Sequence, residues 1–156
     1  MNTIEFTYHL KDIDATATMV LEHLDSKSKA ILFDGPMGAG KTTFINALLK
    51  AMKSDDTATS PTFSIVNEYK IPNDKVYHFD FYRIESLDDA YNFGIEDYFN
   101  SEHWLFIEWP DCIEALLPED AQSITIASIN NTVRSLKLTV NNKLLTEHNA
   151  MTEPKF

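Results

Sequence analysis

Apolar residues recur along this chain in two alternating periods, and the changes between them lay out its elements. Residues 2–8 alternate loosely and predict a first strand. Ile13, Ala17, Val20, Leu21 and Leu24 then fall at helical spacing, with Asp12 or Asp14 placed to cap them. Ala30-Ile31-Leu32-Phe33 is an unbroken apolar run, as a strand covered on both faces requires. Ile45, Leu48, Leu49 and Met52 return to the helical period. Residues 53–60 are polar and read as a loop, and Ser60-Pro61-Thr62 leads stiffly into an extended segment, because the residue before proline avoids the helical region.

Phe63 to Tyr69 and Val76 to Tyr82 both alternate and are separated by the turn signal Pro72-Asn73-Asp74, which predicts an antiparallel hairpin. Ser86 is placed to cap a short acidic helix that Gly94 stops, with Ile95 to Phe99 as one more helical turn. Trp104-Leu105-Phe106-Ile107 predicts a buried strand ending at Glu108. Pro110 and Pro118 bracket a short helix over Cys112 to Leu117, and two strands, Ser123 to Ile129 and Val133 to Val140, flank the turn residues Asn130-Asn131. The tail, residues 146–156, is expected to be loose. Nothing repeats and no linker interrupts the pattern, so the expectation is a single domain over residues 1–156.

Between the run at 30–33 and the helix at 45–52 lies Gly35-Pro36-Met37-Gly38-Ala39-Gly40-Lys41-Thr42, which fits G-x-x-x-x-G-K-[ST], the phosphate-binding P-loop. The chain has four glycines, and three of them lie here. Glycine lets the backbone curl closely around phosphate. The N–H groups of Gly35, Met37, Gly38, Ala39 and Gly40 can then point inward, and the helix start adds partial positive charge. Lys41 is expected to reach the β- and γ-phosphates, and the Thr42 hydroxyl to bind Mg²⁺. A strand–loop–helix unit followed by strand pairs predicts an α/β, P-loop NTPase-like fold in three layers, its mixed sheet having a parallel core and antiparallel members.

Composition narrows the partners. The chain has 156 residues, 44% of them hydrophobic, and a net charge of −11. That charge disfavours unaided contact with nucleic acid, which depends on Lys and Arg at phosphates. Arg83 and Arg134 are the only arginines, too few for the Arg-rich lid of a small-molecule kinase. No N-K-x-D segment reads guanine, which disfavours a GTPase. The single cysteine, Cys112, forms no internal disulfide and has no adjacent Lys, Arg or His, so it reads as structural. Residues 1–10 lack the marks of a signal peptide, and no apolar run approaches the roughly 20 residues of a membrane span, so a cytoplasmic protein is expected.

Hydrolysis needs more than a phosphate cradle: a metal partner and a group that positions water. Glu108, delivered by four apolar residues to the carboxyl edge of the sheet, is the candidate for Mg²⁺ contact, direct or through water. Asp80, in Tyr77-His78-Phe79-Asp80-Phe81-Tyr82-Arg83, is costly to bury unless paired or used. It is a candidate for orienting the attacking water or for a metal contact through water; a surface ion pair with Arg83 is the plain alternative. Thr62 stands as a switch hydroxyl sensing the γ-phosphate, or as an ordinary strand-start threonine. Trp109 suits the site, a partner surface or the core. The five histidines show no metal-ligand spacing, and His78 reads as a packing or hydrogen-bond partner rather than a catalyst.

Taken together, Gly35–Thr43, Ser60-Pro61-Thr62-Phe63, Asn67-Glu68-Tyr69, Tyr77–Arg83, Gly94-Ile95-Glu96-Asp97-Tyr98 and Ile107-Glu108-Trp109-Pro110 resemble the TsaE (YjeE) family of small bacterial P-loop ATPases. The resemblance runs from the first helix to about residue 118 and, in Arg134, into the last strands. It implies an ATP- and Mg²⁺-dependent ATPase, weak alone. Such a protein acts with TsaD and TsaB in forming threonylcarbamoyladenosine at position 37 of tRNAs reading ANN codons, meeting tRNA only through that complex. By position it implies phosphate and metal binding by Lys41 and Thr42, support from the Thr43 hydroxyl near the α-phosphate, and metal contact by Glu108. It further implies a catalytic or water-orienting Asp80, a switch role for Thr62, a functional Trp109 beside the site, and an Arg134 that contacts the nucleotide near its base. Trp109, Tyr82 and Arg83 are candidates for partner contact. In one respect the chain departs from the family: Pro36-Met37 replace the usual Asp-Leu, and proline supplies no N–H there. A small-molecule kinase, and a nucleotide-switched binding protein with little hydrolysis, are the alternatives.

Overall fold

The computed structural model describes residues 2–25, 27–36, 38–56, 66–82 and 84–140. Among them, seven strands share one sheet: β1 (Asn2–His9), β2 (Ala30–Asp34), β3 (Val66–Ile71), β4 (Asp74–Asp80), β5 (Trp104–Glu108), β6 (Gln122–Ser128) and β7 (Val133–Val140). Their order is β1-β7-β6-β2-β5-β4-β3. The middle four strands, β6, β2, β5 and β4, run parallel. The flanking pairs β1–β7, β7–β6 and β3–β4 are antiparallel. This is the α/β arrangement expected from one strand–loop–helix unit accompanied by strand pairs.

Helices cover both faces. Helix α1 (Ile13–His23) and helix α2 (Lys41–Ala51) pack Val20, Phe44, Ile45 and Leu48 against Ile31, Phe33, Phe106 and Ile124. On the other face, helix α3 (Leu87–Phe93), helix α4 (Ile95–Phe99) and a 3₁₀ segment, Pro110–Leu116, enclose Phe79, Leu105, Ile107 and Ile113. Side chains alternate across a strand, so β5 sends Trp104 and Phe106 to one cluster and Leu105 and Ile107 to the other. Burial on both sides is why its sequence is continuously apolar. Among the described residues, no helix is long and apolar enough to cross a membrane.

Local signals were met with some shifts. Ser86 accepts from the Asp89 amide at 3.2 Å, and Gly94, at φ 86°, closes α3 and opens α4. The β3–β4 turn is tighter than the sequence suggests. Asp74 pairs with Ile71 inside the ladder, and Asn73 takes φ 63°, a region asparagine tolerates. Asp74 is drawn in because its carboxylate meets Lys29 at 2.8 Å and His103 at 2.6 Å. The first part of the expected strand, residues 63–65, lies outside the described residues, as do Thr57–Thr62 and the tail. Asp12 occupies the cap position of α1 but makes no side-chain cap bond; a 3₁₀ turn, Leu10–Asp12, enters the helix instead. The expected helix at 112–117 begins at Pro110 and is 3₁₀, broken at Ile113 (φ −120°). The Cys112 side chain is outside the described set.

Phe79 is fully buried, with the rings of Phe81, Phe93, Tyr98 and Phe99 within 6.3 Å. Phe79→Ala is expected to lower unfolding free energy in urea by about 3–5 kcal/mol. Ile129→Ala, at a position 56% exposed, should change it by less than about 0.5 kcal/mol.

Candidate functional site

The loop from β2 to α2 is built on left-handed backbone. Gly38 has φ 81° and Gly40 φ 100°, while Gly35 has φ 149° and lies hard against the sheet. A Cβ on Gly35 would sit 2.6 Å from the Ile126 carbonyl oxygen, so the backbone of β6 forms a wall of the loop. Pro36 takes part as an acceptor, its carbonyl receiving the Ala39 amide at 3.1 Å. Gly40 caps α2, and Lys41 and Thr42 are its first residues. The helix therefore presents the positive end of its dipole, and its first turn, at the carboxyl edge of the parallel strands.

Lys41 is 8% exposed, unusual for a lysine. Its Nζ donates to the Gly35 carbonyl at 2.8 Å, lies 4.0 Å from Glu108 Oε1 and stands 4.0 Å from the centre of the Trp109 ring. A buried ammonium is tolerable only with such partners, and each is supplied by a different part of the fold. Trp109 adopts φ 55° and ψ 59°, a conformation a bulky residue enters at a cost of roughly 1–2 kcal/mol. That turn lays its ring beside the ammonium and against Tyr82, at 5.1 Å between ring centres. Tyr82 itself is 59% exposed.

The parallel register sets Asp80 of β4 beside Glu108 of β5, and Glu108 beside Phe33 of β2. Alternation puts His78, Asp80 and Glu108 on the α2 face. Glu108 is buried, and its Oε2 lies 2.6 Å from His78 Nε2. Asp80 accepts the Tyr82 amide at 3.0 Å. Burial, and next the charge of Glu108, hold its carboxyl above the ordinary 3.8, with the Tyr82 amide opposing them. Two carboxyls of unequal environment thus stand side by side, which suits one to metal contact and the other to handling a proton or a water.

The structure brings Gly35, Gly38, Ala39, Gly40, Lys41, Thr42 and Thr43 together with Asp80, Glu108 and Trp109 at one sheet edge. Thr42 is half-buried and Thr43 exposed. Arg134 reaches the same loop from β7, its Nε donating to the Ala39 carbonyl at 3.1 Å and its Nη1 to Asn130 and Val133 carbonyls at 2.8 and 3.2 Å. Met37, Thr62 and Arg83 lie outside the described residues. Among the described residues, no cluster of three or more His, Cys, Asp or Glu side chains forms a ready metal cage. Mg²⁺ needs none, since it binds through one or two carboxylates with phosphate oxygens and water. Sequence reasoning missed the Lys41–Trp109 contact and the Glu108–His78 bond. The second carried a signal: His78 lies two before Asp80 and so shares its face.

Two consequences are measurable. Gly35→Ala meets rigid backbone and should cost about 1–3 kcal/mol in denaturant unfolding, more than Gly38→Ala, whose Cβ would meet nothing within 4 Å. Because the folded protein holds the Asp80 proton more tightly than the unfolded chain does, this group favours folding most at acid pH. The contribution falls as pH rises from the unfolded value through the raised folded one. Asp80→Asn keeps the acceptor for Tyr82 and should therefore stabilise the protein at pH 7 in EDTA. Solvent screening of a half-buried group limits the gain to less than about 1 kcal/mol, and it should vanish below pH 3.8.

The family model described as "Threonylcarbamoyl adenosine biosynthesis protein TsaE" matches residues 7–136. The chain is 35% identical over 103 residues to the tRNA threonylcarbamoyladenosine biosynthesis protein TsaE of Haemophilus influenzae, covering 66% of this chain and 65% of that protein. It is 32% identical over 109 residues to the protein of the same name from Bacillus subtilis, covering 70% and 68%. The match thus spans just under two thirds of the Haemophilus protein. The crystal structure of Bacillus subtilis YdiB superposes with a TM-score of 0.69 over 99% of this chain and 97% of that one, at 22% identity, and so shares the fold. With a parallel-core sheet, a P-loop at its carboxyl edge and a family match over nearly all the described residues, the chain belongs to the TsaE family.

Proposed function

We propose that this protein is a Mg²⁺-dependent ATPase, weak alone and stimulated by its partners, that serves the formation of threonylcarbamoyladenosine at position 37 of tRNA together with TsaB and TsaD in the cytoplasm. Family membership supports the pathway, and the buried Lys41–Glu108 pair at the P-loop supports the chemistry. The residues present fit the nucleotide and its metal. The loop has room for close backbone approach at Gly38 and Gly40, and an ammonium and a carboxylate meet at its mouth.

In this reading the loop's N–H groups, Pro36 excepted, and the Lys41 ammonium hold the phosphates. Thr42 and Glu108 hold Mg²⁺, which when bound would screen the charge of the β- and γ-phosphates. Asp80 orients the attacking water and accepts its proton. Thr62 is assigned the switch that senses the γ-phosphate, and Arg134 the flank of the loop toward the nucleoside. Tyr82, Arg83 and Trp109 are assigned to contact with the partner proteins. A net charge of −11 favours contact with tRNA through the partners rather than directly.

Phosphate release in the presence of TsaB and TsaD is the test. Lys41→Ala and Asp80→Ala are each expected to lower kcat by about 10²–10³-fold, the range for losing one group that stabilises or positions reacting charge. Unchanged rates in both would reject the assigned site. A deletion strain whose tRNA retains normal threonylcarbamoyladenosine would reject the pathway while leaving the ATPase standing.

A further inference from the structure

Behind Glu108 a line of hydrogen-bonding groups runs across the sheet to its edge. Glu108 Oε2 lies 2.6 Å from His78 Nε2, His78 Nδ1 lies 3.1 Å from the Tyr69 hydroxyl, and the Asn67 amide donates to that hydroxyl at 3.4 Å. His78 is 0% exposed, Glu108 3% and Tyr69 4%. The polarity is consistent throughout. A glutamate beside the Lys41 ammonium acts as an acceptor, so His78 donates from Nε2. With the ring neutral, its Nδ1 accepts from the Tyr69 hydroxyl, whose oxygen accepts from Asn67.

The His78 ring packs beside Tyr69, 5.9 Å between ring centres, but both of its nitrogens meet polar side chains, whereas Val76, on the same face of β4, fills its buried place with an aliphatic group. What the ring adds is a fixed donor. Glutamate at a strand end has rotatable side-chain bonds, and an unheld carboxylate would fall toward the nearest cation. With Oε2 held by His78, the other oxygen, Oε1, is the one that faces Lys41 at 4.0 Å. We propose that His78 is a positioning residue for Glu108: backed by Tyr69 and Asn67, it presents one carboxylate oxygen toward Mg²⁺ on the nucleotide. This rests on the Mg²⁺–ATP reading of the site. Such outer partners of metal-binding groups characteristically set metal affinity.

The test measures binding of an unhydrolysable ATP analogue by calorimetry across a Mg²⁺ series and in EDTA, with thermal unfolding of each variant alongside. In folded His78→Phe, the Mg²⁺ needed for half-maximal enhancement should rise about 10–100-fold, while affinity in EDTA stays within about twofold of wild type. His78→Gln places an amide N–H near the former Nε2 and should recover most of the loss. Tyr69→Phe removes only the hydroxyl and should shift the midpoint in the same direction by a smaller factor. A wild-type midpoint in His78→Phe, no recovery in His78→Gln, or equal losses with and without Mg²⁺ would each overturn the proposal. If His78→Phe does not fold, a wild-type midpoint in Tyr69→Phe overturns it. Wild-type protein that binds the analogue without any Mg²⁺ dependence removes the functional reading as well. A Mg²⁺-dependent wild type with indifferent variants removes this inference alone.

Discussion

The Lys41 ammonium is the group around which this structure has to be arranged. It is nearly excluded from water, and an isolated charge in that position would be strongly unfavourable. Three neighbours offset the cost: a loop carbonyl at 2.8 Å, a carboxylate oxygen at 4.0 Å and the face of an indole at 4.0 Å. They belong to the P-loop, to the end of β5 and to the residue just past it. The ammonium is satisfied only when β2, α2 and β5 are all in place.

The parallel order of the inner strands makes this possible. Parallel neighbours end on the same edge, so β4, β5 and β2 deliver Asp80, Glu108 and the P-loop side by side. Antiparallel pairing at that point would have sent one carboxylate to the opposite edge. The antiparallel strands lie outside this core and act as supports. Strand β3 carries Tyr69 and Asn67 behind His78, and β7 carries Arg134, which ties the loop through the Ala39 carbonyl.

Some strain lies at the same edge. Gly35, at φ 149°, and Trp109, at φ 55°, hold unusual backbone, and Asp80 keeps its carboxyl in surroundings that disfavour its charge. A fold selected for stability alone would relax each of these. They persist because packed neighbours over-determine them: the Ile126 carbonyl against Gly35, Tyr82 against Trp109, and the β4–β5 register at Asp80.

Much of this was legible in the chain itself. The P-loop, the apolar runs ending at Phe33 and Glu108, the Ser86 cap and the Gly94 stop are local patterns, and local backbone preferences enforce them wherever the rest of the chain goes. The motif series was enough to indicate the family. Sequence did not determine strand order, because pairing depends on contacts between residues far apart in the chain. It therefore could not show that Asp80 and Glu108 are register partners, that Arg134 turns back to Ala39, or that a tryptophan ring stands beside the P-loop lysine. It also read His78 as no more than a packing or hydrogen-bond partner, since which polar atom a buried imidazole meets is settled by the neighbouring strand. Periodicity assigns each residue to a face; only the packed sheet decides what lies opposite it.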